Sequence, residues 1–291
     1  MGVFAFILGL RIDYHHWSRW AQVYYLLGLV ALALVFVPGI GHSAGGASRW
    51  INLFGFTLQP SDFARISLIV YLAYLLSKPR PRLERFSSGM LPCLILVALV
   101  GVLLYKQPDL STAVSFAAVA GLMLVAARIP WKHFLLVGCI GIAVVVPTLR
   151  AYQLERIENW LGYWTRGADR LGGNYQLDQS ILAIGSGGIL GRGLGESRQK
   201  WFFLPDAHTD FIFAIIGEEL GFLLGSVLVT GLLGVLLWRA FEAARRAPDR
   251  FGSLLAIGIG SSVAVYGGVN LMVATGLMPT ASPITSIKRF I

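Results

Sequence analysis

The chain has 291 residues, of which 56% are hydrophobic and only 13% are charged. With a mean hydropathy of +0.68, this composition excludes a soluble globular domain, in which about 25% of the residues are charged. The net charge of +9 lies mostly between apolar segments, where it indicates membrane topology and attraction to anionic lipid. The composition therefore predicts an integral membrane protein and implies no nucleic-acid partner.

Apolar blocks of about 20 residues recur along the chain, and this is the length that an α-helix needs to cross a bilayer. They predict full membrane spans over 19–38, 60–77, 89–105, 111–127, 132–149, 210–238 and 252–277. Met1–Leu10 is interpreted as the end of a clipped helix rather than as a signal-peptide core, because it lacks a basic start and a cleavage site. The predicted fold is all-α: one polytopic transmembrane helix bundle over residues 1–291, with about seven full spans and a partial one.

Lys and Arg residues predict the orientation of the spans, because cytoplasmic loops are enriched in them. They are concentrated in one set of loops, at Arg11, Arg19, Lys78, Arg80, Arg82, Arg85, Arg128, Lys132, Arg239, Arg245, Arg246 and Arg250. The opposite short loops contain only Arg49 and Lys106. The first set is therefore predicted to be cytoplasmic, and the long polar segment 150–209 to be a large extracytoplasmic loop. Residues 158–164 and 175–191 within it are predicted to form short amphipathic or re-entrant helices.

Several polar residues have simple structural explanations. Asp62 and Arg65 lie on one face of a predicted helix, where an ion pair at the membrane edge accounts for them. Asp109 lies at a helix entrance, where capping accounts for it. Cys93 and Cys139 fall in apolar spans and are predicted to pack as small hydrophobic residues. The His residues show no metal-ligand spacing, so no metal site is predicted.

The glycine-rich stretch AIGSGGILGRGLGESRQK at 183–200 follows no predicted strand, which argues against a nucleotide-binding loop. Its glycines allow backbone amides to face an anion, with Arg192, Arg198 and Lys200 adding positive charge. A flexible surface turn is the alternative, and the sequence does not decide between them.

Acidic residues are concentrated in the next stretch, FLPDAHTDFIFAIIGEELGF at 203–222. Asp206 and Asp210 flank His208 where a span is predicted to begin, and Glu218 and Glu219 follow inside that span. Each acid in a span costs a few kcal/mol on insertion scales, so such residues are usually functional or paired. This stretch is the strongest candidate for a functional site.

Five of these segments resemble the successive signatures of one family. They are SRWI at 48–51, QPSDFAR at 59–65, QPDLST at 107–112, AIGSGGILGRGLG at 183–195 and LPDAHTDFIFAIIGEELGF at 204–222. In this order and spacing they resemble the SEDS family, the FtsW/RodA/SpoVE proteins of cell division, cell shape and sporulation. The stretch ESRQKWFFLPDAHTD at 196–210 is more similar to the FtsW and SpoVE branch than to RodA.

The resemblance implies a multi-pass protein of the bacterial cytoplasmic membrane that polymerises lipid II into peptidoglycan glycan strands at the outer face. It implies an inverting glycosyltransferase. Asp210 falls at the position of the family's essential carboxylate and is expected to act as general base for the sugar hydroxyl. The residues expected to contact the substrate are Arg49, Arg65, Lys106, Asp109, Arg192, Arg198, Lys200, His208, Glu218 and Glu219. A divalent cation, Mg²⁺ or Mn²⁺, is left open as a cofactor.

The resemblance also implies partners: a class B penicillin-binding transpeptidase and other division proteins. The alternative function is non-catalytic, either a lipid II flippase or transporter or a divisome scaffold. Compared with the family pattern, the chain lacks the first span and part of the second, and it ends in ASPITSIKRFI where the family continues to a last helix. The chain is therefore expected to be truncated at both ends. An inactive enzyme is one of the alternatives, because in the family the missing C-terminal part borders the external cavity.

Overall fold

The computed structural model describes residues 9, 11–37, 41–44, 47–53, 56–79, 83–107, 109–148, 151–166, 174–200 and 211–279. Its first helices are α1 (Tyr14–Arg19), α2 (Ala21–Leu34), α3 (Pro60–Leu76), α4 (Leu91–Lys106), α5 (Leu110–Ala126) and α6 (Trp131–Thr148). The later helices are α7 (Ala151–Arg166), α8 (Tyr175–Ser186), α9 (Ile212–Gly221), α10 (Leu228–Arg246) and α11 (Arg250–Ala274). Short π-helical turns, Phe86–Met90 and Phe222–Val227, precede α4 and α10.

A small antiparallel sheet connects α2 to α3. It has three strands in the order β1 (Gly41–Ala44), β2 (Ala47–Leu53) and β3 (Phe56–Leu58). Ile51 pairs with both Gly41 and Leu58 and is buried. The sequence predicts an all-α fold and misses this sheet. The alternation around Ile51 is too short to give a clear period-two signal for strands.

Among the described residues, three helical stretches are long and apolar enough to cross a membrane: Phe86–Lys106, Ile212–Arg246 and Arg250–Ala274. The helices α2 and α5 are shorter and also apolar. Helices are therefore present in each described part of the predicted spans, while most of Met1–Leu10 lies outside the described residues.

By its internal contacts the chain divides into two compact units. Unit 1 comprises Met1–Leu135 and Leu237–Ser262, and unit 2 comprises Leu136–Leu236 and Val263–Ile291. Unit 1 contains the predicted site residues Arg49, Arg65, Lys106 and Asp109. Unit 2 contains the glycine-rich stretch and the acidic stretch that follows it.

Small residues allow the helices of unit 1 to approach closely, as is usual in membrane bundles. A Cβ atom added to Gly28 of α2 would lie 2.4 Å from the Ser67 hydroxyl oxygen on α3. A Cβ atom added to Gly258 of α11 would lie 2.5 Å from Ile69 on α3 and 2.9 Å from Met123 on α5. The α3 face therefore forms the centre of this unit, and its residues Leu72, Ala73 and Leu76 are fully buried.

Two polar side chains of unit 1 donate hydrogen bonds to backbone carbonyl oxygens of neighbouring helices. The Tyr25 hydroxyl donates a hydrogen bond to the Leu96 carbonyl oxygen at 2.8 Å. The Gln107 amide nitrogen donates to the Leu32 carbonyl oxygen at 3.0 Å. The first bond connects α2 to α4, and the second connects α2 to Gln107, the residue that follows α4. These bonds remove the cost of burying polar groups without partners.

The loops predicted to be cytoplasmic meet at one end of unit 1. The Tyr14 hydroxyl donates to the Asp249 carboxylate at 2.6 Å, and the Arg250 guanidinium donates to the Lys78 carbonyl oxygen at 3.1 Å. The hydrogen bond to Asp249 raises the pKa of Tyr14 to about 12. Arg128 and Arg250 line one cavity at the same end. The loops that carry most of the positive charge thus share one face, as the charge pattern predicts.

The core of unit 2 joins α8, α9 and the end of α11. It consists of Ala183, Phe211, Ala214, Ile215 and Val273, all of them buried. The indole nitrogens of Trp160 and Trp164 on α7 donate to the Gly276 carbonyl oxygen, at 2.8 Å and 3.2 Å. The Ser180 hydroxyl on α8 donates to the Ala274 carbonyl oxygen at 2.7 Å. Two helices of segment 150–209 therefore cap the C-terminal end of α11.

The predicted continuous span over 210–238 is divided in the structure at Gly221. This glycine has a φ of 76°, in the left-handed region, and ends α9. A Cβ atom added to Gly225 would lie 2.5 Å from the Ile216 carbonyl oxygen, whereas residues 216 and 225 of a continuous helix are about 13 Å apart along the axis. The chain therefore folds back at Gly221, and Glu218 and Glu219 lie at the end of a short helix.

Candidate functional site

The carboxylate of Glu218, on the last turn of α9, is buried in a network of donors. The side chain is 1% exposed. Its oxygens accept hydrogen bonds from the Ser197 hydroxyl at 2.6 Å, the Ser186 hydroxyl at 3.3 Å, and the amides of Arg198 and Gln199 at 3.1 Å and 3.3 Å. The Arg192 guanidinium lies 3.6 Å from the same carboxylate. Glu218, Ser186, Arg192, Ser197, Arg198 and Gln199 are called the Glu218 cluster below.

Backbone hydrogen bonds join the glycine-rich loop to the end of α9. The amides of Arg192 and Gly193 donate to the carbonyl oxygens of Glu218 and Glu219, at 3.1 Å and 3.0 Å. In return, the amide of Phe222 donates to the Gly188 carbonyl oxygen at 2.9 Å. The loop therefore satisfies the free carbonyls that every helix leaves at its C-terminal end.

Glycine is required where these two backbones touch. Gly191 has a φ of 83°, and a Cβ atom there would lie 2.2 Å from the Glu219 carbonyl oxygen. A Cβ atom on Gly221 would lie 2.2 Å from the Gly191 nitrogen. The sequence left an anion-facing loop and a flexible turn open for this stretch. The backbone amides that face an anion are those of Arg198 and Gln199, at the end of the stretch, and the anion is the protein's own Glu218 carboxylate.

The three predicted cations of the loop have different environments. Arg192 pairs with Glu218, and its Nε donates to the Ser186 carbonyl oxygen at 3.2 Å. Lys200 Nζ lies 2.9 Å from the Glu219 carboxylate and also donates to the Gly195 carbonyl oxygen. The Arg198 side chain is exposed and makes no ion pair within the described part of the chain. Arg198 is therefore the member of this group whose charge is most accessible to a ligand.

The residues predicted to carry the chemistry, Asp210 and His208, lie outside the described residues, in segment 201–210. Both flanks of this segment are held by α9. Before it, Lys200 is bonded to Glu219, and the amides of Arg198 and Gln199 are bonded to Glu218. After it, Phe211 is 0% exposed, in the core of unit 2.

Two of the four predicted site residues of unit 1, Arg65 and Asp109, have local partners. Arg65 Nη2 lies 3.2 Å from the Asp62 carboxylate, which is the predicted ion pair. Asp109 is 4% exposed and caps α5 by accepting a hydrogen bond from the Thr112 amide at 3.3 Å, as predicted. Lys106 is exposed on the last turn of α4. Arg49 belongs to β2, and its side chain lies outside what the structure describes.

Sequence reasoning missed Ser186, Ser197 and Gln176. Ser186 and Ser197 bind Glu218, and a serine in a glycine-rich turn gives no signal of a distant partner. Gln176 on α8 is 2% exposed, and its amide has no hydrogen-bond partner in the described part of unit 2. The run QLDQS at 176–180 has four polar residues among five, and this density of polar residues in a helix is the signal that could have identified Gln176 as a candidate site residue.

Among the described residues, no group of three or more His, Cys, Asp or Glu side chains could hold a metal ion. Glu218 is saturated with protein donors, so it offers little capacity to a cation.

The apolar helices and the charge asymmetry of the loops define a polytopic membrane protein. The sequence model of the FtsW, RodA and SpoVE family, described as "Cell cycle protein", matches residues 1–282. The chain belongs to this family, and it is a multi-pass protein of the bacterial cytoplasmic membrane.

Curated relatives match almost the whole chain. A probable peptidoglycan glycosyltransferase FtsW of Trichlorobacter lovleyi is 43% identical over 282 residues, covering 96% of this chain and 73% of the relative. The stage V sporulation protein E of Bacillus subtilis is 38% identical over 281 residues, covering 96% and 76%. Relatives with both names agree with the predicted similarity to the FtsW and SpoVE branch.

Solved structures share the fold. A chain from a study of the structural coordination of polymerization and crosslinking by a peptidoglycan synthase complex matches with a TM-score of 0.75 and 30% identity, over 96% of this chain and 77% of that chain. The rod shape determining protein RodA of Thermus thermophilus matches with a TM-score of 0.64 and 27% identity, over 96% and 73%.

Proposed function

We propose that this chain is a peptidoglycan glycosyltransferase that polymerises lipid II into glycan strands at the outer face of the cytoplasmic membrane. Relatives at about 40% identity that bear this name support the activity. The observation that carries the site assignment is that α9 holds both flanks of segment 201–210. This segment contains Asp210, the acid that the family resemblance makes catalytic.

The chemistry requires a base and a cation. A hydroxyl of one sugar attacks the anomeric carbon of another, a new glycosidic C–O bond forms, and the C–O bond to the lipid diphosphate breaks. The Asp210 carboxylate accepts the hydroxyl proton, and the lipid diphosphate leaves as an anion. Attack opposite the leaving group inverts the anomeric centre in one step, so no nucleophilic Ser or Cys is needed.

Arg198 is the first candidate to bind the leaving diphosphate. Its backbone is fixed by Glu218, while its side chain remains exposed next to the segment that carries Asp210. Arginine suits this role because its planar guanidinium can bind two phosphate oxygens at once. Arg192 and Lys200, which pair with Glu218 and Glu219, act mainly by holding the loop in place. Arg49, Lys106 and His208 remain predicted substrate contacts.

A flippase needs polar residues along a path through the membrane, and Arg65, Glu218 and Glu219 are the sequence candidates for that role. Glu218 is instead buried among four hydrogen-bond donors and the Arg192 guanidinium. Glu219 pairs with Lys200, and Arg65 pairs with Asp62. These contacts favour the polymerase. The likeness to a chain of a peptidoglycan synthase complex supports a class B penicillin-binding transpeptidase as the partner.

Polymerisation and transport can be separated in liposomes. The full chain, purified with its cognate transpeptidase, is reconstituted with fluorescent lipid II, and glycan chains are resolved on a gel while lipid II reaching the other leaflet is measured by quenching. We expect glycan chains longer than a disaccharide. Movement of lipid II between leaflets without any polymer would contradict the proposal.

A further inference from the structure

Two adjacent cavities lie at the end of unit 1 that carries the predicted cytoplasmic loops. The first, of about 390 Å³, is lined by Arg128, Arg250 and Ser253 and by the apolar residues Leu254 and Ile257. The second, of about 550 Å³, is lined by Arg128, Lys132, Glu84 and Leu83. Ala127 and Arg128 line both, so the two cavities meet at these residues.

Arg128 occupies a strained backbone position. Its φ of 62° is in the left-handed region, where arginine is disfavoured and glycine is preferred. The amide of Arg128 donates to the Val125 carbonyl oxygen at 2.9 Å, and the amide of Ile129 donates to the Leu124 carbonyl oxygen at 3.2 Å. This is the Schellman motif, whose left-handed residue is usually Gly. An arginine at this position costs stability, which points to a role for its side chain.

Positive charge at the cavities is not balanced by the protein. The side chains of Arg128 and Lys132 make no hydrogen bond or ion pair within the described part of unit 1, and Arg250 donates one bond to the Lys78 carbonyl oxygen. Glu84 lines the second cavity and is the opposing acid there. Asp249, beside Arg250 in sequence, is already bonded to the Tyr14 hydroxyl. Three cations therefore face one acid in the two cavities.

We propose that these cavities form one binding site for the headgroup of an anionic phospholipid of the inner leaflet. The phosphate binds Arg128, Arg250 and Lys132, and the Ser253 hydroxyl is a further donor. Leu254 and Ile257 lie along α11 in the direction of the membrane and contact the glycerol and the first methylene groups of the acyl chains. Basic pockets between transmembrane helices on the cytoplasmic side are typical sites for such headgroups.

Lipid titration tests this proposal. The purified full chain in detergent is titrated with phosphatidylglycerol or with phosphatidylcholine, and bound lipid is counted by native mass spectrometry. We expect phosphatidylglycerol to bind at least about tenfold more tightly, because its headgroup carries a net negative charge. Arg128→Gly should lose most of this preference, while Arg128→Lys should keep more of it.

The glycine variant separates ligand binding from folding. Because glycine is the preferred residue at this position, Arg128→Gly should leave the melting temperature unchanged or raised. The matched control Arg246→Gln removes a charge from the same face outside the cavities, at an arginine that pairs with Glu242, and should change lipid affinity by less than about twofold. Equal losses in both variants would indicate a diffuse surface charge and overturn the proposal. Inorganic phosphate that binds as tightly as the lipid would make the ligand a soluble anion and overturn it as well.

Discussion

Glu218 illustrates how a buried charge is stabilised in this protein. Four hydrogen-bond donors converge on its carboxylate, from Ser186, Ser197, Arg198 and Gln199. The Arg192 guanidinium adds an ion pair. Without them, burial of the charge would be prohibitively costly. The donors all come from the stretch just before segment 201–210, so the same bonds that stabilise the charge fix the approach of the chain to Asp210.

Glu218→Gln should destabilise the protein by about 2 to 3 kcal/mol, because the glutamine NH₂ group would face hydroxyl and amide donors and lose their hydrogen bonds. Thermal unfolding in detergent, followed by tryptophan fluorescence, measures this effect. Glycan polymerisation should also decrease in this variant, because the loop before Asp210 loses its attachment.

Glu219→Gln is the matched control, on the neighbouring residue. Its ion pair with Lys200 is partly exposed, so its loss should cost less than about 1 kcal/mol. A Glu218→Gln variant as stable as Glu219→Gln would show that the Glu218 cluster does not hold the loop.

The role of single residues was only partly predictable from sequence. Two acids next to each other in an apolar run predict pairing or function, and Glu218 and Glu219 are indeed paired. The Asp62–Arg65 pair and the Asp109 cap follow from helical spacing and were predicted correctly. Ser197 could not be assigned to Glu218, because that contact depends on how the glycine-rich loop folds against α9.

The loop and α9 form a unit in which each element completes the hydrogen bonds of the other. The loop supplies amides to the end of α9, and its carbonyl groups accept from the first residues after Gly221. Because the two backbones are in contact, a side chain larger than hydrogen does not fit at Gly191 or Gly221.

Gly191→Ala should destabilise the protein by roughly 3 kcal/mol, from the left-handed φ and from the clash with the Glu219 carbonyl oxygen. Limited proteolysis should cut the variant between 187 and 200 earlier than the wild type. Gly185→Ala on α8 is the control, because a Cβ atom there has nothing within 4 Å, and it should be neutral or stabilising by up to about 1 kcal/mol. Equal proteolysis of the two variants would show that the close approach at Gly191 is unimportant.

Helices were easier to predict than their interruptions. The apolar runs predict helices in nearly the positions where α2 to α6, α10 and α11 lie. The break at Gly221 was missed, because a glycine inside an apolar run is common in membrane helices and its φ is set by the loop packed against it. The small sheet was missed for a related reason, since its pairing depends on contacts between strands.

The orientation of the whole chain determines whether segment 150–209 can meet an external substrate. The basic loops meet at one end of unit 1, which agrees with the positive-inside pattern. Cysteine labelling in spheroplasts tests the orientation in a background with Cys93→Ala and Cys139→Ala. Glu155→Cys on α7 should react with a membrane-impermeant maleimide, while Arg245→Cys on α10 should react only after permeabilisation. The reverse pattern would place the site on the wrong side of the membrane.

The central claim is that Asp210, in the segment whose two flanking residues are fixed against α9, is the base of a lipid II polymerase. The direct measurement is the initial rate of glycan formation from lipid II by the wild-type chain, Asp210→Asn and Asp206→Asn, each with the partner transpeptidase. Loss of a general base lowers rates by about 10²- to 10⁴-fold, so Asp210→Asn should be at least about 100-fold slower, while Asp206→Asn should retain most of the rate. An Asp210→Asn variant that polymerises as fast as the wild type would contradict the account.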